Sequence, residues 1–189
     1  MPLTRVLTIK MQGLGKRLRS GVLCIEPESE LVSLRSGNGA IIDSIRYSEL
    51  AVGDWGNIYE RHVAQVLTSQ GYEVKMHGLE KGFLDGGVDL IAMSAADETA
   101  YIQCKYMLVK KINRQMIEGI LYKASSYLSK IYTGKRLNFW LVVPSLRDSF
   151  SCKKSPLGRE LYPMAEYFLS KNEVQSKVRL VIQEIGMAH

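Results

Sequence analysis

The chain has 189 residues, 46% of them hydrophobic, enough for one domain of ordinary size, or one domain with a small appendage, around a substantial core. Its formal charge is +6 and its pI about 9.2, a balance that favours a polyanionic partner. Cys24, Cys104 and Cys152 are odd in number and far apart, with no C-x-x-C pair and no histidine spacing of a zinc site, so reduced thiols in a cytosol are expected. No charged leader with a cleavage site and no apolar stretch near the roughly 18 residues of a membrane span occurs, which predicts a soluble, cytoplasmic protein.

Residues 1 to 49 read as a small β-rich module. Arg5 to Met11, Gly21 to Glu26, Leu31 to Arg35 and Ala40 to Ile45 are short apolar or alternating runs, separated by turn signals such as Gly13-Leu14-Gly15, Pro27-Glu28-Ser29 and Ser36-Gly37-Asn38-Gly39. Lys16, Arg17 and Arg19 form a basic cluster in its first loop. That cluster reads either as a phosphate contact or as a solvated loop. From Asp54 the period becomes helical, with Ile58, Tyr59, Val63, Val66 and Leu67 on one side, Asn57 and Glu60 spaced as a capping box, and Gly71 as the stop. Tyr72 to Met76 alternates like a strand. A glycine-rich loop, Gly78 to Gly87, leads into the strand Val88 to Met93, and a turn at Ala95 to Glu98 makes a hairpin with Tyr101 to Tyr106.

Beyond the hairpin, Ile117, Ile120, Leu121, Ala124, Leu128 and Ile131 keep helical spacing up to Thr133-Gly134-Lys135. Leu137 to Val143 is continuously apolar, as for a strand covered on both faces, and Pro144 closes it. A loop from Ser145 to Pro156, a helix from about Leu157 to Ser170 and a last strand, Val178 to Glu184, complete the pattern. The order from Asp54 is αβββαβαβ, which predicts a mixed sheet with helices on its faces over residues 50 to 189.

Gln103-Cys104-Lys105 lies on the third strand of this domain, fourteen residues (103 − 89) after Asp89 in Asp85-Gly86-Gly87-Val88-Asp89. A hairpin can set Asp89 beside Gln103, and the period of two sends Gln103 and Lys105 to one face and Cys104 to the other. A carboxylate from Asp89, the amide oxygen of Gln103 and the backbone carbonyl of Cys104 are oxygen donors suited to Mg²⁺, with Mn²⁺ as a substitute. Lys105 adds a fixed cation next to them. These are the parts that phosphodiester hydrolysis needs. Glu60, flanking the helix's apolar stripe, is a further carboxylate that could serve as a ligand. Each residue also has a plainer reading: Asp89 as a turn aspartate on the Gly86 and Gly87 amides, Lys105 as a solvated strand end, Glu60 as the cap partner of Asn57. Asp85, inside the glycine loop, reads as a turn former. Lys110, Lys111 and Arg114 follow the strand closely enough to grip a nucleic-acid backbone, or form a solvated face. No spacing makes His62, His77 or His189 a metal set, and Trp55 and Trp140 read as core.

Gly56-x-x-Tyr59-Glu60, Gly71-Tyr72-x-Val74, Asp85-Gly86-Gly87-Val88-Asp89-Leu90-Ile91-Ala92 and Gln103-Cys104-Lys105-Tyr106, in this order, resemble the Mrr-type restriction endonuclease domain of the PD-(D/E)XK nuclease superfamily. The resemblance spans about residues 53 to 144 and is expected to take in the final helix and strand. It implies a restriction-endonuclease-like α/β fold and Mg²⁺-dependent hydrolysis of DNA, with Asp89 as the metal-binding acid, Gln103 standing where most of the superfamily has an acid, Lys105 as the motif lysine and Glu60 as the helical acid. A homodimer, which would cut both strands, is implied by the family and by no particular residue. The β module lies outside the resemblance and is a candidate for DNA contact or dimerisation. Two alternatives remain open: a structure-specific nuclease of the Holliday-junction-resolvase kind, and a DNA-binding protein that keeps the fold without catalysis.

Overall fold

Strand-forming runs and their turns account for the first part of the computed structural model, which describes residues 21–78, 85–107, 110–150, 153–154, 160–161 and 177–188. Strands β1 (Val22–Glu26), β2 (Leu31–Arg35) and β3 (Ile41–Arg46) form an antiparallel sheet in the order β1-β2-β3. Cross-strand pairs Leu23–Leu34 and Val32–Ile45 put four buried apolar side chains on one face. On the other face the Glu26 carboxylate accepts from Ser33 Oγ (2.7 Å) and Arg35 Nη2 (2.8 Å). The strand expected at Arg5 to Met11, and Lys16, Arg17 and Arg19, lie outside the described residues.

Helix α1 (Val52–Ser69) buries Ile58, Tyr59, Val63, Ala64 and Leu67, the stripe its 3.6-residue period predicts. It starts earlier than the apolar pattern does, with Asp54 Oδ2 accepting from the Ala51 N–H (2.9 Å). Asn57 and Glu60 therefore sit inside the helix, and the expected capping box between them does not mark its start. Gly71, at φ +88°, ends it as predicted, and the Tyr72 N–H reaches back to the Leu67 carbonyl (3.1 Å). Gln65 uses its amide as a strand would: Oε1 accepts from the Leu23 N–H (2.6 Å) and Nε2 donates to the Leu23 carbonyl (3.0 Å). The outer edge of β1 is thereby capped.

The second sheet has the order β10-β7-β6-β5-β4. Its strands are β4 (Glu73–Lys75), β5 (Leu90–Met93), β6 (Thr99–Cys104), β7 (Leu137–Val143) and β10 (Val178–Glu184), with helix α2 (Arg114–Ile131) between β6 and β7. β6, β7 and β10 run parallel, while β4, β5 and β6 are antiparallel neighbours, so the sheet is mixed as expected. The α2 stripe of Ile117, Ile120, Ala124 and Leu128 packs into one core with Phe139, Leu141 and other buried residues. A short helix α3 (Leu146–Ser149) occupies the predicted loop after β7, and β8 (Lys153–Lys154) pairs with β9 (Glu160–Leu161). The helix predicted from about Leu157 is thus interrupted by extended backbone at 160–161; its remainder lies outside the described residues.

Two compact units divide the chain: Met1–Gln65 with Met187–His189, and Val66–Gly186, the boundary falling inside α1. Among the described residues no helix is long and apolar enough to cross a membrane.

Candidate active site

The ends of β5 and β6 hold the site. Their register pairs Leu90 with Ile102, so one step further along Asp89 stands across from Gln103. Three backbone contacts fix Asp89: its N–H donates to the Ile102 carbonyl (2.8 Å), its carbonyl accepts from the Gly78 N–H (2.8 Å), and Oδ2 accepts from the Cys104 N–H (2.7 Å). Asp89 is 7% exposed and Gln103 4%. Burial pushes the Asp89 carboxyl up to about 6, against the opposing pull of the Cys104 N–H and then Lys105; Asp85 raises it further and Lys123 lowers it. Asp89 therefore lies in a pocket of protein that disfavours its charge. A bound cation would reverse that preference.

Gln103 and Lys105 share a face, as the strand period requires. With the amide oriented as its hydrogen-bonding neighbours demand, Gln103 Oε1 accepts from Lys105 Nζ (3.1 Å) and Nε2 donates to the Gly87 carbonyl (3.1 Å). A carboxylate at this position could accept from the lysine but could not donate to Gly87. The glutamine in place of an acid thus has a local physical reason. Lys105 itself is half-buried, and its N–H donates to the Val142 carbonyl (2.9 Å), extending the β6–β7 ladder past Cys104. The Cys104 side chain is buried on the opposite face.

The turn before Asp89 is built by Asp85, whose Oδ1 accepts from the Gly87 N–H (2.7 Å). Gly86 and Gly87 have φ +64° and +76°, and α2 lies directly against them: a Cβ on Gly86 would sit 2.6 Å from Tyr127 Cβ, and one on Gly87 3.1 Å from Lys123 Cδ. Lys123 Nζ pairs with Asp85 Oδ1 at 3.2 Å. Lys123 and Tyr127, one turn apart on α2, are site neighbours that no strand motif indicates; only the helical period, which puts both on one side, offers a trace of them. His77 is buried, its ring 4.9 Å from that of Tyr127.

Other predicted residues are placed as follows. Glu60 is half-buried on α1 and belongs to the other compact unit. Lys110 is exposed. Lys111 Nζ donates to the carbonyls of Arg147 (3.2 Å) and Asp148, at the end of α3. Arg114 pairs with Glu118 one turn on (2.9 Å), both half-exposed. Trp55 is buried against Tyr47, and Trp140 is half-buried against Tyr72, each edge to face.

Among the described residues no three His, Cys, Asp or Glu side chains are grouped as a metal set. A hard cation is nevertheless compatible with what is present, because Mg²⁺ is commonly held by one or two carboxylates with water and substrate phosphate oxygens. Asp89 supplies such a carboxylate, and its Oδ1 is not engaged by the Cys104 amide that holds Oδ2.

A mixed sheet with flanking helices, carrying an acid, an amide and a lysine at the ends of two adjacent strands, defines a restriction-endonuclease-like fold. Residues 56–129 match the Mrr-type catalytic family, described as restriction endonuclease, so this segment is similar to the Mrr-type domains of the PD-(D/E)XK superfamily. The match runs from α1 into α2 and takes in Asp89, Gln103, Lys105 and Lys123; the β module and β7 onward lie outside it. No curated protein and no solved structure matches the chain significantly.

Proposed function

We propose that this protein is a divalent-metal-dependent endodeoxyribonuclease, hydrolysing DNA phosphodiester bonds in the manner of Mrr-like restriction endonucleases. The observation that carries the reading is the juxtaposition of buried Asp89 and Gln103 with half-buried Lys105 at the ends of β5 and β6. Asp89 and the Cys104 carbonyl would hold Mg²⁺ or Mn²⁺. That ion supplies Lewis-acid polarisation of a phosphate oxygen and a water acidified enough to attack. Lys105, oriented by Gln103, presents its ammonium to the charge that grows on the phosphate. Gln103 was a candidate ligand; with Oε1 turned to an ammonium its stronger role is to aim Lys105. Burial around Asp89 excludes water and strengthens these interactions. The resemblance adds Glu60 as a further acid. The 1–49 module is a candidate DNA-contact or dimerisation element of a protein whose nuclease domain is 50–189.

Supercoiled plasmid incubated with Mg²⁺, Mn²⁺ or EDTA tests this. Wild type should nick only with a metal, and Asp89→Asn and Lys105→Ala should lose nicking while their circular dichroism stays native. Glu60→Gln in the same assay decides the helical acid. Intact plasmid, modified DNA and four-way junctions at all metal concentrations would leave a DNA-binding protein without catalysis as the surviving reading.

A further inference from the structure

We infer that Lys123 is a second phosphate-binding lysine of this site, held on Asp85 until DNA arrives. The inference rests on the nuclease reading and adds to it a residue from α2. Its starting point is how tightly α2 meets the glycine turn. Tyr127 fills the space beside Gly86, and the Lys123 stem crosses Gly87 at contact distance, so the direction of the lysine is set by packing. Its ammonium is not buried: the side chain is 57% exposed, against 16% for Asp85.

The ion pair adds little to the fold. Asp85 Oδ1 already receives the Gly87 N–H at 2.7 Å, which closes the turn without help from Lys123. An exposed pair of this kind contributes little in water. A long side chain laid over the turn, its charge loosely held beside Asp89, is well placed to exchange one oxygen anion for another. An arriving phosphodiester is such an anion. Lys105 is directed to Gln103, so the two ammonium groups would meet the backbone from β6 and from α2.

Equilibrium binding of a short labelled duplex, in EDTA and in Ca²⁺, separates this role from turn-holding. Lys123→Gln should weaken binding, with the slope of log affinity against log salt falling by about 0.9, so that the wild-type advantage shrinks about threefold for a fourfold rise in salt. Its thermal unfolding should stay near wild type, and Lys123→Arg should restore affinity. Asp85→Asn keeps an acceptor for the Gly87 N–H while releasing the ammonium, and should bind DNA as well as wild type or better. Lys123→Gln with unchanged affinity and slope overturns the inference, as does Asp85→Asn weakening binding as much as Lys123→Gln. Wild type that nicks DNA beside an unaffected Lys123→Gln sinks the inference alone; wild type that binds through Lys123 but never nicks sinks the nuclease reading alone. Wild type without measurable DNA binding overturns both.

Discussion

Asp89 is a residue that the folded chain holds at a cost. Its carboxyl titrates near 6 in place of the ordinary 3.8, because burial penalises the charge more than its hydrogen bond and the lysines favour it. The native state therefore binds the proton more tightly than the unfolded chain. Asp89 costs the fold nothing below about pH 4, where it is protonated in both states, and a penalty develops as pH rises through about 6, reaching on the order of 3 kcal/mol above it. Asp89→Asn should thus be more stable than wild type at pH 7.5 in EDTA, by up to that amount, and equal to it below pH 4, which urea unfolding across pH will show. For the same reason metal affinity should rise with pH through about 6, since the cation must displace the proton; calorimetric titration with Mn²⁺ checks it. Gln103→Glu makes the second residue-scale prediction. Introducing the acid that the superfamily usually carries removes the donor to Gly87 and sets a second negative charge next to Asp89. A stability loss of about 1–3 kcal/mol in metal-free buffer is expected, together with slower nicking. Nicking at or above the wild-type rate would mean that the amide's donor is dispensable.

Among the elements, the glycine turn and α2 act as one part. Gly86 has φ +64° and a would-be Cβ 2.6 Å from Tyr127 Cβ, whereas Gly134 at φ +94° has nothing within 4 Å. Both alanine substitutions carry the left-handed backbone penalty of about 1–2 kcal/mol. Gly86→Ala adds a clash that only a shift of α2 or of the turn can relieve, so it should unfold at clearly lower urea than Gly134→Ala and also lose nicking. Equal midpoints would show that the contact with Tyr127 yields easily. At the start of α2, Asn113 Oδ1 accepts from the Met116 N–H at 2.9 Å, and Asn113→Ala should cost about 1 kcal/mol without touching the site. The hairpin, α2, β7 and β10 are legible in the chain because each is governed by a period and a nearby stop signal. The start of α1 is less legible: it is marked by Asp54 in the first turn, whose carboxylate accepts from the Ala51 N–H, and not by the more recognisable Asn57–Glu60 spacing.

For the molecule as a whole, sheet order sets where resistance to opening lies. β6 is hydrogen-bonded on both sides, to β5 and β7, and β7 to β6 and β10, while β4 is a three-residue strand with one partner in this sheet. Amide hydrogen exchange should be slowest in β6 and β7 and fastest in β4. Comparable rates in all three would contradict a sheet with β6 and β7 at its centre. The basic balance of +6 belongs to the same scale: under the proposed function it predicts an attraction to DNA that weakens as salt rises.

What the sequence by itself determined is the set of parts: a β-rich start, a helix ending at Gly71, a hairpin carrying Asp89, Gln103 and Lys105, and the order of the remaining helix and strands. Those follow from local periodicity and from turn chemistry that acts over a few residues. It also placed Gln103 and Lys105 on one face, because a strand's side chains alternate whatever surrounds it. Only the tertiary structure decided that Gln103 links Lys105 to the Gly87 carbonyl, that Asp89 is buried deeply enough to titrate near 6, and that α2 brings Lys123 and Tyr127 onto the glycine turn. Lys123 is 38 positions from Asp85, and Gln103 is 16 (103 − 87) from Gly87. Contacts at such separations depend on how helix and sheet pack, and packing leaves no fixed spacing in the chain.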